Sequence, residues 1–148
     1  ISKNMYKFLF HLHSGLRYVV LILLIVALFK ALTGWFGKKT YNESDRKLNL
    51  FAMISAHIQF LAGLILYFIS PLVQLENLAQ TMKNATLRYW TVEHVAMMLF
   101  AIALITVGHA RSKRIAEAVN KHRTIAIFYG LALLVIWLAI VQSGRAVL

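Results

Sequence analysis

The sequence contains no cysteine, one proline and only five acidic residues among 148. Without cysteine the chain has no disulfide, no iron–sulfur cluster, no zinc thiolate site and no covalently attached c-type haem. Any metal it binds must therefore be held by histidine, methionine or oxygen ligands. Motifs for a nucleotide-binding glycine-rich loop, a nucleophile elbow and a HExxH metal pair are also missing, so nothing in the sequence points to those activities.

Hydrophobic residues are abundant, at 60% of the chain, well above the share in soluble domains. A membrane-spanning helix needs about 20 mostly apolar residues, and four stretches qualify: 8–33, 48–69, 89–110 and 124–141. We predict an all-α integral membrane protein, an up-down four-helix bundle that forms one domain over residues 1–148. The first stretch is too long and too polar at its start for a cleavable signal peptide, so we expect it to remain.

The basic residues are unevenly distributed along a chain of net charge +11. The first and third connections hold most of them, so the positive-inside rule predicts that these connections are cytoplasmic, in a bacterial inner membrane, with both termini periplasmic. No basic stripe alternates with aromatic residues, so we expect contact with the lipid bilayer and none with nucleic acid. The ten cytoplasmic residues are Lys30, Lys38, Lys39, Arg46, Lys47, Arg111, Lys113, Arg114, Lys121 and Arg123; the opposite side has Lys3, Lys7, Lys83, Arg88 and Arg145.

Two connections contain signals for helix starts. Ser44 or Asp45 is a candidate cap for the second long helix. Ser70 and Pro71 predict the start of a short amphipathic helix on the outer surface, between the second and third spans. Its apolar residues recur at helical spacing, at Leu72, Leu75, Leu78, Ala79 and Met82.

Polar residues within the spans are costly in hydrocarbon and usually functional. The first span has His11, His13 and Arg17 near its outer end, and the third has Glu93 and His94. In an up-down bundle these two helices run in the same direction, so the five residues fall at similar depth. Glu93 is the only acidic residue near the level of Arg17, which makes the two a candidate ion pair.

The spacing of the histidines predicts a cofactor. His13 and Arg17 are four residues apart and share a helix face, whereas His11 points elsewhere and fits the membrane interface. Helices one and three of a bundle lie about 14 Å apart across its diagonal, which leaves room for a haem edge-on between two axial imidazoles. We predict haem b bound by His13 and His94. Arg17 would then meet a propionate, and Glu93 would accept a hydrogen bond from a ligand imidazole or pair with Arg17.

The other histidines receive different interpretations. His57, in the second span, is the first replacement if one proposed ligand is wrong. His109 is interpreted as a capping or interfacial residue, and His122 as solvated. Gly63 predicts close helix packing or room for a flat ring. The aromatic residues expected mostly to mark the membrane interfaces are Tyr18, Trp35, Tyr67, Tyr89 and Trp90.

Three segments carry a resemblance to a known family: FHLHSGLRY, DRKLNLFAMISAHIQFLAGLILYFISP and RYWTVEHVAMMLFAIALITVGHARSK. They resemble small bacterial four-helix membrane proteins commonly labelled cytochrome B, and the resemblance, which covers nearly the whole chain, implies haem b. The chain is more distantly similar to the small membrane-bound protoporphyrinogen oxidases, although its tryptophan and histidine in span three are spaced differently. The best-matching positions are His13, Arg17, His57, Gln59, Glu93, His94 and His109.

These observations favour a haem b protein that passes electrons between the quinone pool and a partner. Two alternatives stay open. One is an oxidoreductase of the protoporphyrinogen oxidase kind. The other is a cofactor-free accessory subunit of a larger membrane complex or homo-oligomer, in which the polar cluster is structural or handles protons.

Overall fold

The structure, a computed structural model, describes residues 3–144, so Arg145 lies outside the described residues. These residues form helices and no strand, which confirms the all-α prediction. A short π-helical turn, Tyr89–Glu93, leads directly into the third long helix. The α-helices are α1 (Lys3–Phe36), α2 (Glu43–Ile69), the short α3 (Leu78–Lys83) and α4 (Ala85–Arg88), α5 (His94–Arg114) and α6 (Ala118–Gln142).

Four helical segments are long and apolar enough to cross a membrane: α1, α2, α6 and the continuous stretch Ala85–Arg114, which ends in α5. The predicted multi-pass membrane protein is therefore confirmed. Large apolar side chains cover the outside of these helices, where lipid tails replace water as their surroundings. Prominent examples are Phe8, Ile22, Phe29, Phe68, Phe100 and Trp137.

The long helices form a ring of contacts in which α1 packs on α2 and α6, and α5 packs on α6 and α2. Helices α1 and α5 therefore lie opposite one another. The end of each helix lies beside the beginning of the next: Lys30 Nζ is 3.1 Å from Asp45 Oδ1, and the Tyr67 hydroxyl donates to the Thr91 carbonyl at 2.8 Å.

Small residues dominate the core between the helices. Alanines such as Ala27, Ala52 and Ala101 are almost fully buried, and side chains of this size let helix backbones approach closely. The largest fully buried side chain is Tyr129, whose hydroxyl donates to the Asn49 carbonyl at 2.7 Å. This bond satisfies the phenol in a region where an unpaired polar group is costly.

The start of α2 differs from the prediction by two or three residues. Asn42 is the N-cap, and its backbone N–H donates to the Asp45 carboxylate at 2.8 Å. The aspartate therefore occupies the third helical position and bonds back to the cap, as in a capping box. It also binds Lys30, which ties the beginning of α2 to the end of α1.

The predicted helix start at Ser70 and Pro71 is wrong. Ser70 ends α2, and residues 71–77 are not helical. A helix begins only at Leu78, where the Asn77 side chain accepts a hydrogen bond from the Gln80 N–H. The asparagine directly before this short helix was a stronger start signal than the serine–proline pair, because its amide oxygen reaches the free N–H groups of the first turn.

Candidate functional site

The structure brings His13 of α1 and His94 of α5 together across the bundle. Their ring centres are 6.4 Å apart, and the two ring planes are nearly perpendicular, at 87°. Both rings are partly buried. Two opposite helices thus present one imidazole each to a shared space near one end of the bundle.

Residues of α2 fix the position of His13. Gly63 lies against the imidazole so closely that a Cβ at that position would be 2.8 Å from His13 Cε1. The Gln59 amide nitrogen donates to the His13 carbonyl at 2.7 Å, which holds the backbone of α1 against α2 at the same level. A glycine four residues after a glutamine therefore forms a cradle for the ring on one face of α2.

A π-helical turn positions His94. The His94 N–H bonds to the carbonyl of Tyr89, five residues earlier, where an α-helix would use the fourth. Single π turns within α-helices occur frequently at functional sites. Here the turn brings Tyr89 beside the imidazole, with the phenol oxygen 3.4 Å from His94 Nδ1.

The hydrogen bonds of Tyr89 favour one tautomer of His94. The buried Tyr89 hydroxyl donates its single proton to the Ala139 carbonyl of α6. Toward His94 the phenol oxygen can therefore only accept, so Nδ1 carries the imidazole proton. The lone pair then lies on Nε2, the arrangement that suits metal binding through Nε2.

Two cavities meet at the histidine pair, one of about 140 Å³ and one of about 300 Å³. The smaller extends toward the middle of the bundle between apolar side chains that include Leu21, Phe60 and Ile102. The larger reaches residues 72–73 of the connection after α2. Residues that line both are His13, Ser14, Gly63, Tyr67, Trp90, His94 and Ser143.

Arg17 and Glu93 do not form the ion pair that the sequence predicted. Glu93 Oε1 accepts from Arg88 Nε at 2.8 Å, and Glu93 lines neither cavity. Arg17 lines the smaller cavity and donates from one terminal nitrogen to the Tyr18 hydroxyl at 2.9 Å. Arg88 is five residues from Glu93 on the same chain segment, so it reaches the carboxylate without crossing the bundle.

His57, the replacement ligand of the sequence analysis, lines neither cavity. Its Nε2 lies 2.8 Å from the Thr106 hydroxyl oxygen. That hydroxyl donates to the Ile102 carbonyl, so it accepts from the histidine. His57 thus joins α2 to α5 as a packing residue. His11 is exposed.

The interpretations of His122 and His109 are wrong. His122 is buried rather than solvated: its Nε2 is 3.0 Å from the Thr40 carbonyl oxygen, and a Cβ at Gly34 would lie 2.5 Å from its ring. His109 is also buried, and neither ring nitrogen has a hydrogen-bond partner within residues 3–144, so it caps nothing. Gly34 of α1 leaves the space that the His122 imidazole occupies in the bundle.

Three aromatic residues assigned to the membrane interface line the cavities instead. Tyr67, Tyr89 and Trp90 surround the histidine pair, and Trp90 packs on His94 with ring centres 5.1 Å apart. Tyr89 and Trp90 precede His94 by five and four residues, and this short separation could have indicated that they lie beside it. The π turn changes the angular position of residues before His94, so an α-helical reading of that segment misplaces them.

The two imidazoles meet the ligand requirement of a haem. Within the described part of the chain, no group of three or more histidine, aspartate or glutamate side chains is arranged to hold a metal. A haem iron receives four ligands from its macrocycle and needs only one or two from the protein. Two opposed imidazoles beside an apolar space match that requirement.

Fold and site together define a multi-pass membrane protein with four spanning helices and a histidine-lined cavity at one end of the bundle. Comparisons with protein-family models, with curated proteins and with solved structures gave no match.

Proposed function

We propose that this protein binds haem b between His13 and His94 and carries electrons between the quinone pool and a redox partner. The observation that carries the proposal is the pair of imidazoles from opposite helices, 6.4 Å apart. Two imidazoles on one iron have ring centres roughly 6 Å apart, because each metal–nitrogen bond is about 2 Å and each nitrogen lies about 1 Å from its ring centre. When bound, the haem supplies reversible one-electron chemistry.

The residues around the pair support this assignment. Gly63 leaves space for the His13 ring, and Tyr89 favours the His94 tautomer with its lone pair on Nε2. Such outer partners orient metal ligands and tune the metal. Apolar side chains that line the larger cavity, such as Phe10, Leu66 and Val73, exclude water and favour a flat apolar macrocycle over a hydrated ion.

We also propose that the protein resides in a bacterial inner membrane with both termini in the periplasm. The support is the distribution of charge, because ten of the 16 basic residues flank two connections. Contacts at that end join the two connections: His122 Nε2 is 3.0 Å from the Thr40 carbonyl oxygen, and the His122 ring packs on Gly34. The histidine pair then lies in the outer half of the bundle.

The test is an absorption spectrum of the purified protein, oxidised and then reduced with dithionite, after expression with ample haem. We expect the Soret and α bands of a bis-imidazole haem b. His13→Ala and His94→Ala should each abolish this spectrum or convert it to a high-spin form.

Two control variants keep the same residue type but lie outside the cavities. His57→Ala loses only its bond to Thr106, and His122→Ala lies at the other end of the bundle. Both should retain the wild-type spectrum, although His122→Ala should unfold at a lower temperature because it empties a buried site. A wild-type protein without Soret absorption would refute the proposal, as would variants of His13 and His94 with an unchanged spectrum.

A further inference from the structure

Besides the polar residues around the histidine pair, the wall of the smaller cavity contains two polar side chains, Arg17 from α1 and Gln59 from α2. Each has a buried polar atom with no hydrogen-bond partner within residues 3–144: Arg17 Nε and Gln59 Oε1. Such atoms are costly in a low-dielectric interior unless a partner satisfies them. The pair therefore points to a ligand.

The His13 carbonyl places Arg17 and Gln59 at the same level of the bundle. Gln59 Nε2 donates to the His13 carbonyl at 2.7 Å, and in an α-helix that carbonyl also accepts from the backbone N–H of Arg17. A carbonyl only accepts, so the amide nitrogen of Gln59 must face it and the amide oxygen must face away. Arg17 is anchored on its other side by the Tyr18 hydroxyl.

The chemistry of the pair selects its ligand. Arg17 Nε offers a proton, and Gln59 Oε1 requires one. A carboxylate, including an ionised haem propionate, only accepts and would leave Gln59 unsatisfied. A hydroxyl group both accepts and donates, so it satisfies both residues at once.

The rest of the cavity restricts the ligand to a lipophilic molecule. Its walls are built from side chains such as Leu21, Phe60, Leu64 and Met98, and they continue to the histidine pair. We propose that this cavity binds the hydroxylated ring of a lipophilic quinol, with one ring hydroxyl donating to Gln59 Oε1 and accepting from Arg17 Nε. The choice of a quinol rests on the proposed electron-carrier function. The inference that Arg17 and Gln59 bind a hydroxyl group does not rest on it. Arg17 then binds the quinol. The sequence had instead suggested that it meets a haem propionate.

The experiment measures binding of a quinol analogue to the purified protein in detergent micelles. The probe is a fluorescent hydroxyquinoline N-oxide with a heptyl tail, whose emission is quenched when it binds. We expect saturable quenching near one probe per protein, and Gln59→Leu should raise the Kd by about tenfold, the effect of removing one buried hydrogen-bond partner. Ser55→Ala is the matched control, since Ser55 lies one turn earlier on α2, bonds to the Ala52 carbonyl and lines neither cavity.

A second measurement guards against misfolding. Gln59→Leu should keep the helical circular dichroism of the wild type and unfold cooperatively, so that its raised Kd reports the lost ligand contact rather than a lost fold. The quinol site would be overturned, even with the Soret band present, if the wild type showed no saturable quenching. Equal Kd values for wild type, Gln59→Leu and Ser55→Ala would overturn it as well. Probe binding that depends on Gln59 in a protein without a Soret band would keep the site and refute the electron carrier.

Discussion

Single atoms decide whether the site can exist, and Gly63 is the clearest case. The His13 ring occupies the space where a Cβ on residue 63 would be, at 2.8 Å from Cε1. Carbon atoms cannot approach so closely, so any larger residue must push the imidazole or the helix away. The glycine is therefore part of the site although it has no side chain.

We predict that Gly63→Ala lowers the free energy of unfolding by about 1–3 kcal/mol, as overpacking does. It should also reduce the haem content after expression, because the His13 ring is displaced. Thermal unfolding in micelles and the ratio of Soret to protein absorbance measure the two effects.

Gly15→Ala is the control, since Gly15 lies on α1 near His13 and a Cβ there meets nothing within 4 Å. In an exposed helical position this change should stabilise by up to about 1 kcal/mol. Equal behaviour of the two variants would contradict the proposed close contact at Gly63.

Among the elements, the π turn determines which residues surround His94. It contains one residue more than an α-helical turn, and Tyr89 starts it. The same segment is tied to α2 by the hydrogen bond from Tyr67 to Thr91 and to α6 by that from Tyr89 to Ala139. The π turn is thus held from two sides, by α2 and by α6.

Deleting Val92, a partly exposed residue of the π turn, should convert the turn to α-helix and rotate the preceding residues about 100° relative to His94. Because Tyr89 then loses either His94 or Ala139, we expect a lower unfolding temperature and a shifted or lost haem spectrum. Val92→Ala keeps the chain length and should leave the spectrum unchanged. A deletion variant with wild-type spectrum and stability would show that the π turn does not position His94.

For the whole molecule, the arrangement of the helix ends fixes how charge is distributed. His122 Nε2, at the start of α6, lies 3.0 Å from the Thr40 carbonyl oxygen, so the basic residues of the first and third connections gather at one end. The Lys121 ammonium lies 5.5 Å from the centre of the Tyr41 ring. Burial raises the pKa of the Tyr41 phenol. The histidine pair is near the opposite end.

Reporter fusions test the orientation of the bundle. Alkaline phosphatase is active only in the periplasm, so we expect an active fusion at the C-terminus and an inactive fusion in the connection at Lys38 and Lys39. A cytoplasmic fluorescent reporter at the same two positions should give the reverse pattern. The opposite result at both positions would place the histidine pair in the inner half of the membrane.

The sequence by itself determined the class of protein and the position of its helices. Four long apolar stretches leave no other fold, because in lipid each segment must satisfy its own backbone hydrogen bonds. Helical spacing also identified His13, Arg17 and His94 as residues of interest, since charged or titratable groups rarely enter hydrocarbon without a reason.

Only the tertiary structure decided which partner each polar residue meets. Glu93 pairs with Arg88, His57 with Thr106, and His122 with the backbone of Thr40. These choices depend on the rotation of each helix about its axis. That rotation is set by the packing of small residues and by the π turn before His94, neither of which an average period of 3.6 residues encodes.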